Sequence, residues 1–246
     1  MSIGRRGFLP AANETEDAFY QRIAPYLATN LSEKMQGALL TCERLFDVQP
    51  DWVPLIESRS KLSFWQGAVL WVDEKEQPLI QMAPRLFYSR DEMIAHELIH
   101  AVRLPLKSKR FEEIIAYQTS RNWWRRTFGP IIRTPSEVYI FLGSLLCSWI
   151  PCIWQETAFL RFATPLLSLF ALIRLAFTQR VFHRCRKKLS LLLGSERSGL
   201  SLAARLTDEE IALFAKWTLQ EIWSYVLESQ ELRWQMLCFC YTIPKK

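Results

Sequence analysis

Residues 94–103, IAHELIHAVR, constrain the fold of this chain more than any other stretch. They place two of its three histidines, His96 and His100, four residues apart, with Glu97 beside the first. In an α-helix, residues four apart lie on the same face, one turn from each other. The two imidazoles can therefore converge on one point if the segment is helical.

The flanking residues favour such a helix. Ser89 and Glu92 fit a capping box, in which the two side chains satisfy backbone amides of the first turn. Pro105 cannot enter a helix interior, so the helix is expected to end just before it. Ser108 is expected to cap a second helix that runs to about Thr127. Between Ser89 and Pro105, apolar residues recur at helical spacing: Met93, Ile94, Leu98, Ile99 and Val102.

The segments before this helix predict two further kinds of element. Residues 14–46 have the apolar spacing of one or two helices. Residues 62–72 are rich in β-branched and aromatic side chains, and a charged turn separates them from 78–83. These two stretches predict a β-hairpin. Strand 78–83 is further expected to be an exposed edge, which could bind an extended peptide by adding it to the sheet.

Two histidines and an adjacent glutamate in the pattern HExxH are typical of a zinc site on a helix. The alternative is a buried helix with two hydrogen-bonded histidines. Catalytic zinc generally takes three protein ligands and leaves one position for water. The third histidine, His183, lies far along the chain in a basic cluster. It is expected to be solvated or at the level of lipid headgroups and not to be a ligand. A carboxylate must then complete the site, and Glu112 and Glu113 are both candidates at the level of His100.

HELIH followed by Glu-Glu-Ile-Ile-Ala-Tyr resembles the gluzincin metallopeptidases, in which a second helix supplies a ligand glutamate with alanine three positions later. The resemblance covers about residues 62–127, with a shorter gap between the two motifs than in the larger members. It implies a zincin-like core in which His96, His100 and Glu113 hold Zn²⁺. It also implies peptide-bond hydrolysis with Glu97 as the general base.

Three other residues lie near the motif: Tyr117, Arg103 and Arg121. Tyr117 lies one turn from Glu113 on the same helix face. It could orient a ligand or donate to an oxyanion, or it could simply pack as an aromatic side chain. Arg103 and Arg121 are expected to be solvated.

Two apolar stretches, residues 137–154 and 157–177, predict a membrane hairpin. A hairpin returns the chain to the side that it left, so both basic flanks fall on the same side of the bilayer. The positive-inside rule assigns that side to the cytoplasm. The alternative is a soluble helical hairpin packed on the rest of the protein. The flanking basic residues are Arg121, Arg125, Arg126 and Arg133 before the pair, and Arg180, Arg184, Arg186, Lys187 and Lys188 after it.

Composition narrows the class of protein. Six cysteines without a pair of CxxC motifs argue against a cysteine zinc ribbon and against a disulfide framework, so reduced thiols are expected. The N-terminal twenty residues lack the apolar run of a secretory signal. The formal charge of +6 permits binding to nucleic acid. The basic residues bracket the apolar stretches, however, so a DNA-associated protease is the weaker reading and no nucleic-acid partner is expected.

The sequence thus predicts an α+β protein with three regions. Residues 1–133 are expected to form the zincin-like domain, 134–178 a transmembrane helical hairpin, and 179–246 a basic linker and C-terminal helices. The expected function is a membrane-anchored zinc metallopeptidase with its catalytic domain in the cytoplasm, acting on peptide or protein substrates. The alternative is a non-catalytic membrane-associated interaction protein that keeps the same fold.

Overall fold

The computed structural model of the protein describes residues 3–63, 66–74, 76–84, 89–149 and 160–241. These ranges form a mixed α and β structure, mostly helical with one small sheet, which confirms the predicted α+β class. The strands are β1 Leu55–Glu57, β2 Ala68–Val72 and β3 Pro78–Met82. The helices are α1 Glu16–Leu27, α2 Gln36–Phe46, α3 Arg90–Arg103, α4 Glu112–Ala116, α5 Trp123–Phe128, α6 Pro135–Cys147, α7 Ala163–Leu193, α8 Glu196–Ala203, α9 Asp208–Phe214, α10 Leu219–Glu228 and α11 Leu232–Cys240.

The sheet has the strand order β1-β3-β2. Strands β2 and β3 pair antiparallel, with Leu70 opposite Ile80, which confirms the predicted hairpin. Strand β1 pairs parallel with the other side of β3. The prediction that strand 78–83 forms an exposed edge is therefore wrong, because β3 is the central strand. The edge beside α3 is β2, and its outer side has no strand partner in the ranges described.

Helix α3 confirms the helix predicted after Ser89, but its cap differs. The Ser89 side chain makes no capping hydrogen bond. Glu92 turns to the segment between α4 and α5, where it accepts hydrogen bonds from the Ser120 hydroxyl at 3.1 Å and the Arg121 amide at 3.2 Å. Glu92 also pairs with Arg125. These tertiary contacts replace the local capping box.

The single helix predicted over residues 108–127 is broken into α4 and α5. The Ser108 hydroxyl is buried and has no hydrogen-bond partner among the described residues, so it does not cap α4. The amides of Lys109 and Arg110 each donate to the Asp208 carboxylate at 2.7 Å, and Phe111 donates to it at 3.2 Å. A carboxylate from α9 thus takes the capping role, because an ionised acceptor suits the positive end of a helix better than a hydroxyl does.

The apolar pair forms helices α6 and α7, and residues 150–159 between them lie outside the described residues. Among the described helices, the stretch Leu160–Leu193 is the one long and apolar enough to cross a membrane. Helix α6, with 13 residues, is about 20 Å long and does not reach that length by itself. Helix α7 continues well past residue 177, so the basic cluster at 180–188 is helical and not a linker.

Helices α8–α11 pack on the N-terminal region through one continuous hydrophobic core. This core contains Ile94 and Leu98 of α3 together with Leu200, Phe214 and Trp234 of the C-terminal helices. The predicted boundary at residue 178 falls inside α7, and residues from both sides of it share the core. No disulfide joins the five cysteines in the described ranges.

Candidate metal centre

Helices α3 and α4 bring three potential ligands together. The Nε2 atoms of His96 and His100 lie 3.1 Å apart. The Glu113 carboxylate approaches His100 Nε2 at 3.5 Å and His96 Nε2 at 3.6 Å, using one oxygen for each. With a single carboxylate oxygen chosen, the three donor atoms still lie within 4.8 Å of one another. The described residues contain no other such group of three or more.

These separations suit a metal ion held between the three side chains. Tetrahedral ligands about 2.0–2.1 Å from zinc lie about 3.3–3.4 Å from one another. The closest approaches here, 3.1 to 3.6 Å, bracket that value. A donor set of two imidazoles and one carboxylate is also one that catalytic zinc accepts. The residues present therefore fit the ion that the sequence suggests.

Each histidine also has a hydrogen-bond acceptor outside the cluster. His100 Nδ1 lies 2.8 Å from Glu112 Oε1, so Glu112 accepts its proton and leaves the Nε2 lone pair for a metal. The backbone carbonyl of Ala116 accepts a hydrogen bond from His96. Because His96 Nε2 faces His100, Nδ1 is the nitrogen available for that bond. Such acceptors fix the tautomer and the ring orientation of metal-bound histidines.

Glu112 and Glu113 thus occupy different places. Glu113 lies in the group that could hold an ion, and Glu112 touches the far side of the His100 ring. The two residues are adjacent on α4, so their side chains leave the helix about 100° apart. The two side chains therefore cannot both face the position of an ion between the histidines.

The charges around the two histidines favour a cation. Three carboxylates, those of Glu97, Glu112 and Glu113, lie near two imidazoles. Burial lowers the pKa of His96 well below its usual value, so that ring is neutral. Burial raises the pKa of Glu113 to about 7 and also raises that of Glu97. Burial thus disfavours the ionised form of both carboxyls, and a divalent ion between the three side chains would favour that form.

His100 carries the proton that an ion would displace. Burial alone would lower its pKa, but the hydrogen bond to Glu112 and the charges of Glu97 and Glu113 outweigh that effect. Together they raise the pKa of His100 to about 9. Metal binding requires the neutral imidazole, so an ion in this cluster would compete with that proton.

Glu97 lies beside the cluster on α3 and is 8% exposed. Its carboxylate reaches β2, where the Leu70 backbone amide donates to it. That amide points away from β3, because Leu70 and Ile80 face each other while the Ile80 amide donates to Pro54 of the β1 side at 2.9 Å. Glu97 therefore lies between the candidate ligands and the free edge of the sheet.

Tyr117 packs against the candidate ligand His96. The two rings meet edge to face, with centroids 4.6 Å apart. The tyrosine ring also packs closely on Gly129, where an added Cβ would come within 2.3 Å of a ring carbon. Aromatic packing thus joins Tyr117 to a candidate ligand.

The prediction that Arg103 is solvated is wrong. Its side chain is 1% exposed, and Nη1 donates to the backbone carbonyls of Ala204 and Leu206. Burial lowers the pKa of Arg103 to about 10. Arg121 and His183 are both exposed, as the sequence predicted. His183 is on α7 and is not part of the cluster.

Sequence reasoning missed two residues that shape the site. Asp208 anchors the start of α4, and Ala116 provides a carbonyl to His96. The role of Ala116 leaves no signal in the sequence, because any residue can provide a backbone acceptor. Asp208 appears in the sequence as the first residue of a helix after Thr207, with no mark of its distant partners.

Comparisons of the chain with protein-family models, with curated proteins and with solved structures returned no match. The function must therefore be argued from the residues of the site. What those residues define is a histidine-histidine-glutamate cluster on two helices, with a buried glutamate beside it.

Proposed function

We propose that the protein is a membrane-anchored zinc metallopeptidase with a zincin-like core. The observation that carries this proposal is the convergence of His96, His100 and Glu113, with Glu97 next to them between the cluster and a sheet edge. Zinc in this place supplies Lewis acidity and lowers the pKa of a water molecule toward neutrality. Peptide hydrolysis is the reaction that the same arrangement performs in the gluzincins, which the motif resembles.

In this mechanism His96, His100 and Glu113 hold the ion, and Glu97 handles the proton. The carboxylate of Glu97 takes a proton from the attacking water and then passes it to the leaving amine. Burial supports this role, since it raises the pKa of Glu97 above its usual value and so makes the carboxylate a stronger proton acceptor. Glu112 and the Ala116 carbonyl keep the two imidazoles oriented.

Strand β2 is the proposed substrate-binding edge, in place of the strand expected from the sequence. Its outer side faces the cluster, and the Leu70 amide already points there. An extended peptide could pair with this edge and lay a scissile bond beside Glu97. Amide direction alternates along the strand, so the Val72 amide lies on the same outer side as that of Leu70. Proline at Val72 removes this donor without removing a bond to β3, and it should weaken cleavage while the zinc content stays normal.

Membrane anchoring is proposed for the α6–α7 hairpin. Only 6% of the most apolar part of the long helix is buried inside the protein. Apolar side chains that face solvent over such a length favour lipid as their surroundings. The basic flanks on both sides of the hairpin place the catalytic domain in the cytoplasm by the positive-inside rule.

Metal analysis and one conservative substitution test the proposal. Purified wild type should bind one equivalent of zinc, and His96→Ala should lose it. Glu97→Gln should keep the zinc and lose peptidase activity by about 10²- to 10⁴-fold. If Glu97→Gln and wild type are equally inactive toward all peptides tried, the protein is a non-catalytic membrane-associated protein that binds the ion.

A further inference from the structure

Helix α5 presents an aromatic and basic surface to the outside. Trp123 and Trp124 are 53% and 56% exposed, and their rings stack with centroids 4.0 Å apart. Phe128 is also exposed and stacks on Trp124 at 5.3 Å. Arg121 and Arg126 are exposed beside them. We name these five residues the α5 surface. Indole rings and guanidinium groups together favour the headgroup region of an anionic bilayer.

The α5 surface lies where α7 emerges from the core. Gln179 of α7 donates to the carbonyl of Thr127 at the end of α5. Beyond this point Phe182 is buried in the core, with 4% exposure. Before it, Phe170 and Ile173 are 62% and 60% exposed. The change from the exposed apolar part of α7 to its core-bound part therefore lies between residues 173 and 182, and α5 is level with it.

The candidate metal centre is close to the same boundary. The Arg110 guanidinium lies 5.8 Å from the ring of Phe177, and Glu113 follows Arg110 by three residues. Arg133 is near enough for its charge to act on the Glu113 carboxyl, and it donates to the Thr178 hydroxyl at 2.7 Å. Two separate contacts thus join residues around Glu113 to residues 177 and 178 of α7.

From this arrangement we infer that the metal centre works at the bilayer surface, and that its substrates are polypeptides anchored in the same membrane. They are cleaved in the segment that emerges from the lipid. This inference rests on the proposed peptidase function. An extended chain advances about 3.3 Å per residue, so the first eight residues after an anchor reach about 26 Å from it. Anchoring also raises the effective concentration of that segment.

The test uses the full chain in vesicles of phosphatidylcholine and phosphatidylglycerol. The probe is a degenerate peptide, long enough to extend about 60 Å, attached at one end to a diacyl lipid. The same peptide without the lipid serves as the comparison. Mass spectrometry gives the position of every bond cut. We expect bonds within about 25 Å of the anchor to be cut at least about tenfold more often than more distant ones. The unanchored peptide should show no such gradient.

A paired variant tests the role of the α5 surface. Trp123→Ser with Trp124→Ser should flatten the gradient on the anchored peptide, while zinc content and cleavage of the unanchored peptide stay at the wild-type level. Phe239→Ser is the matched control, since Phe239 is 88% exposed on α11. It should leave the gradient unchanged.

The outcomes separate the two proposals. If the unanchored peptide is cut and the anchored one is cut evenly along its length, the surface inference is overturned and the peptidase stands. If zinc-loaded wild type cuts neither peptide faster than Glu97→Gln, the peptidase proposal fails and the inference fails with it. Equal gradients in wild type and the tryptophan variant would reject the part played by the α5 surface.

Discussion

Helix α3 and the first half of α7 are both rich in large apolar side chains, yet they use them in opposite ways. In α3, Ile94 and Leu98 are fully buried, and the other face carries the polar cluster. In α7, Leu169 and Ile173 are 53% and 60% exposed. A helix with one apolar stripe belongs at the surface of a core, and a helix that is apolar all round belongs inside a core or in a membrane.

The difference also appears within α7 itself. Its second half buries Phe182, Cys185 and Leu189 against the C-terminal helices. Its first half contacts α6, where Arg174 forms a bidentate ion pair with the carboxylate of Glu137. One continuous helix therefore has a second half that packs in the core and a first half that carries large exposed apolar side chains. An apolar sequence alone does not show whether a side chain is buried in the core or exposed.

The largest expected effect is on stability, when a leucine is replaced by alanine in α3 and, separately, in the first half of α7. Leu98→Ala should lower the free energy of unfolding by about 2–5 kcal/mol, because it leaves a cavity in the core. Leu169→Ala should change it by no more than about 0.5 kcal/mol. Urea unfolding of the detergent-solubilised protein measures both. Equal losses in the two variants would mean that the hairpin packs as a soluble element.

Membrane attachment should respond in the opposite way, since it should depend on the first half of α7 and not on α3. Serine at Leu169, Phe170 and Ile173 together should release the protein from membranes washed with alkaline carbonate, while Leu98→Ala stays bound. Wild-type protein that is fully soluble without detergent would end the membrane proposal.

The second prediction concerns the polar face of α3. Glu112→Ala should weaken zinc binding by about 10- to 100-fold, because His100 loses the acceptor that orients its ring. Glu113→Ala should lose zinc almost completely. Competition with a zinc chelator measures both affinities, and Glu196→Ala at an exposed carboxylate is the control. If instead Glu112→Ala loses zinc almost completely and Glu113→Ala only weakens binding, Glu112 is the ligand and the assignment is wrong.

A third, smaller effect is expected at the support of α4. Asp208→Ala removes the acceptor of three backbone amides before α4 and should cost about 0.5–2 kcal/mol of folding free energy. Asp208→Asn, which keeps an acceptor oxygen, should cost less. Urea unfolding compares the two. No loss in either variant would show that α4 is held by its buried side chains alone.

The smallest effect is a dependence on pH in the core that α3 shares with the C-terminal helices. Burial alone would raise the pKa of Glu210, but bonds from Arg233 and Trp234 outweigh it and lower the pKa below 4.5. The folded state therefore gains stability above that pH and loses it as the pH falls through the lowered value. The slope is at most about 1.4 kcal/mol per pH unit.

Unfolding by urea at a series of acidic pH values measures this slope. Glu210→Gln should be less stable than wild type at neutral pH and should lose this part of the acid dependence. Wild type and variant with the same slope would show that other carboxyls control the acid unfolding.

Several features of the fold could be predicted because they depend on neighbours in the chain. The limits of α3 follow from the apolar spacing and from Pro105. The start of α9 is equally local, since Thr207 and Glu210 have the spacing of a capping box and form one. The α3 capping box failed because Glu92 finds better partners across the fold. The edge strand was misjudged because β1, which is only three residues long, gives little sequence signal.

The sequence by itself determined that His96 and His100 share a helix face, because the 3.6-residue period fixes the relation of residues four apart. It also determined that residues 160–193 include a stretch long and apolar enough to cross a membrane. Only the tertiary structure decided which glutamate joins the histidines, that β2 is the free edge, and that Asp208 holds α4. These relations join residues far apart in the chain, and the packing of whole elements sets them.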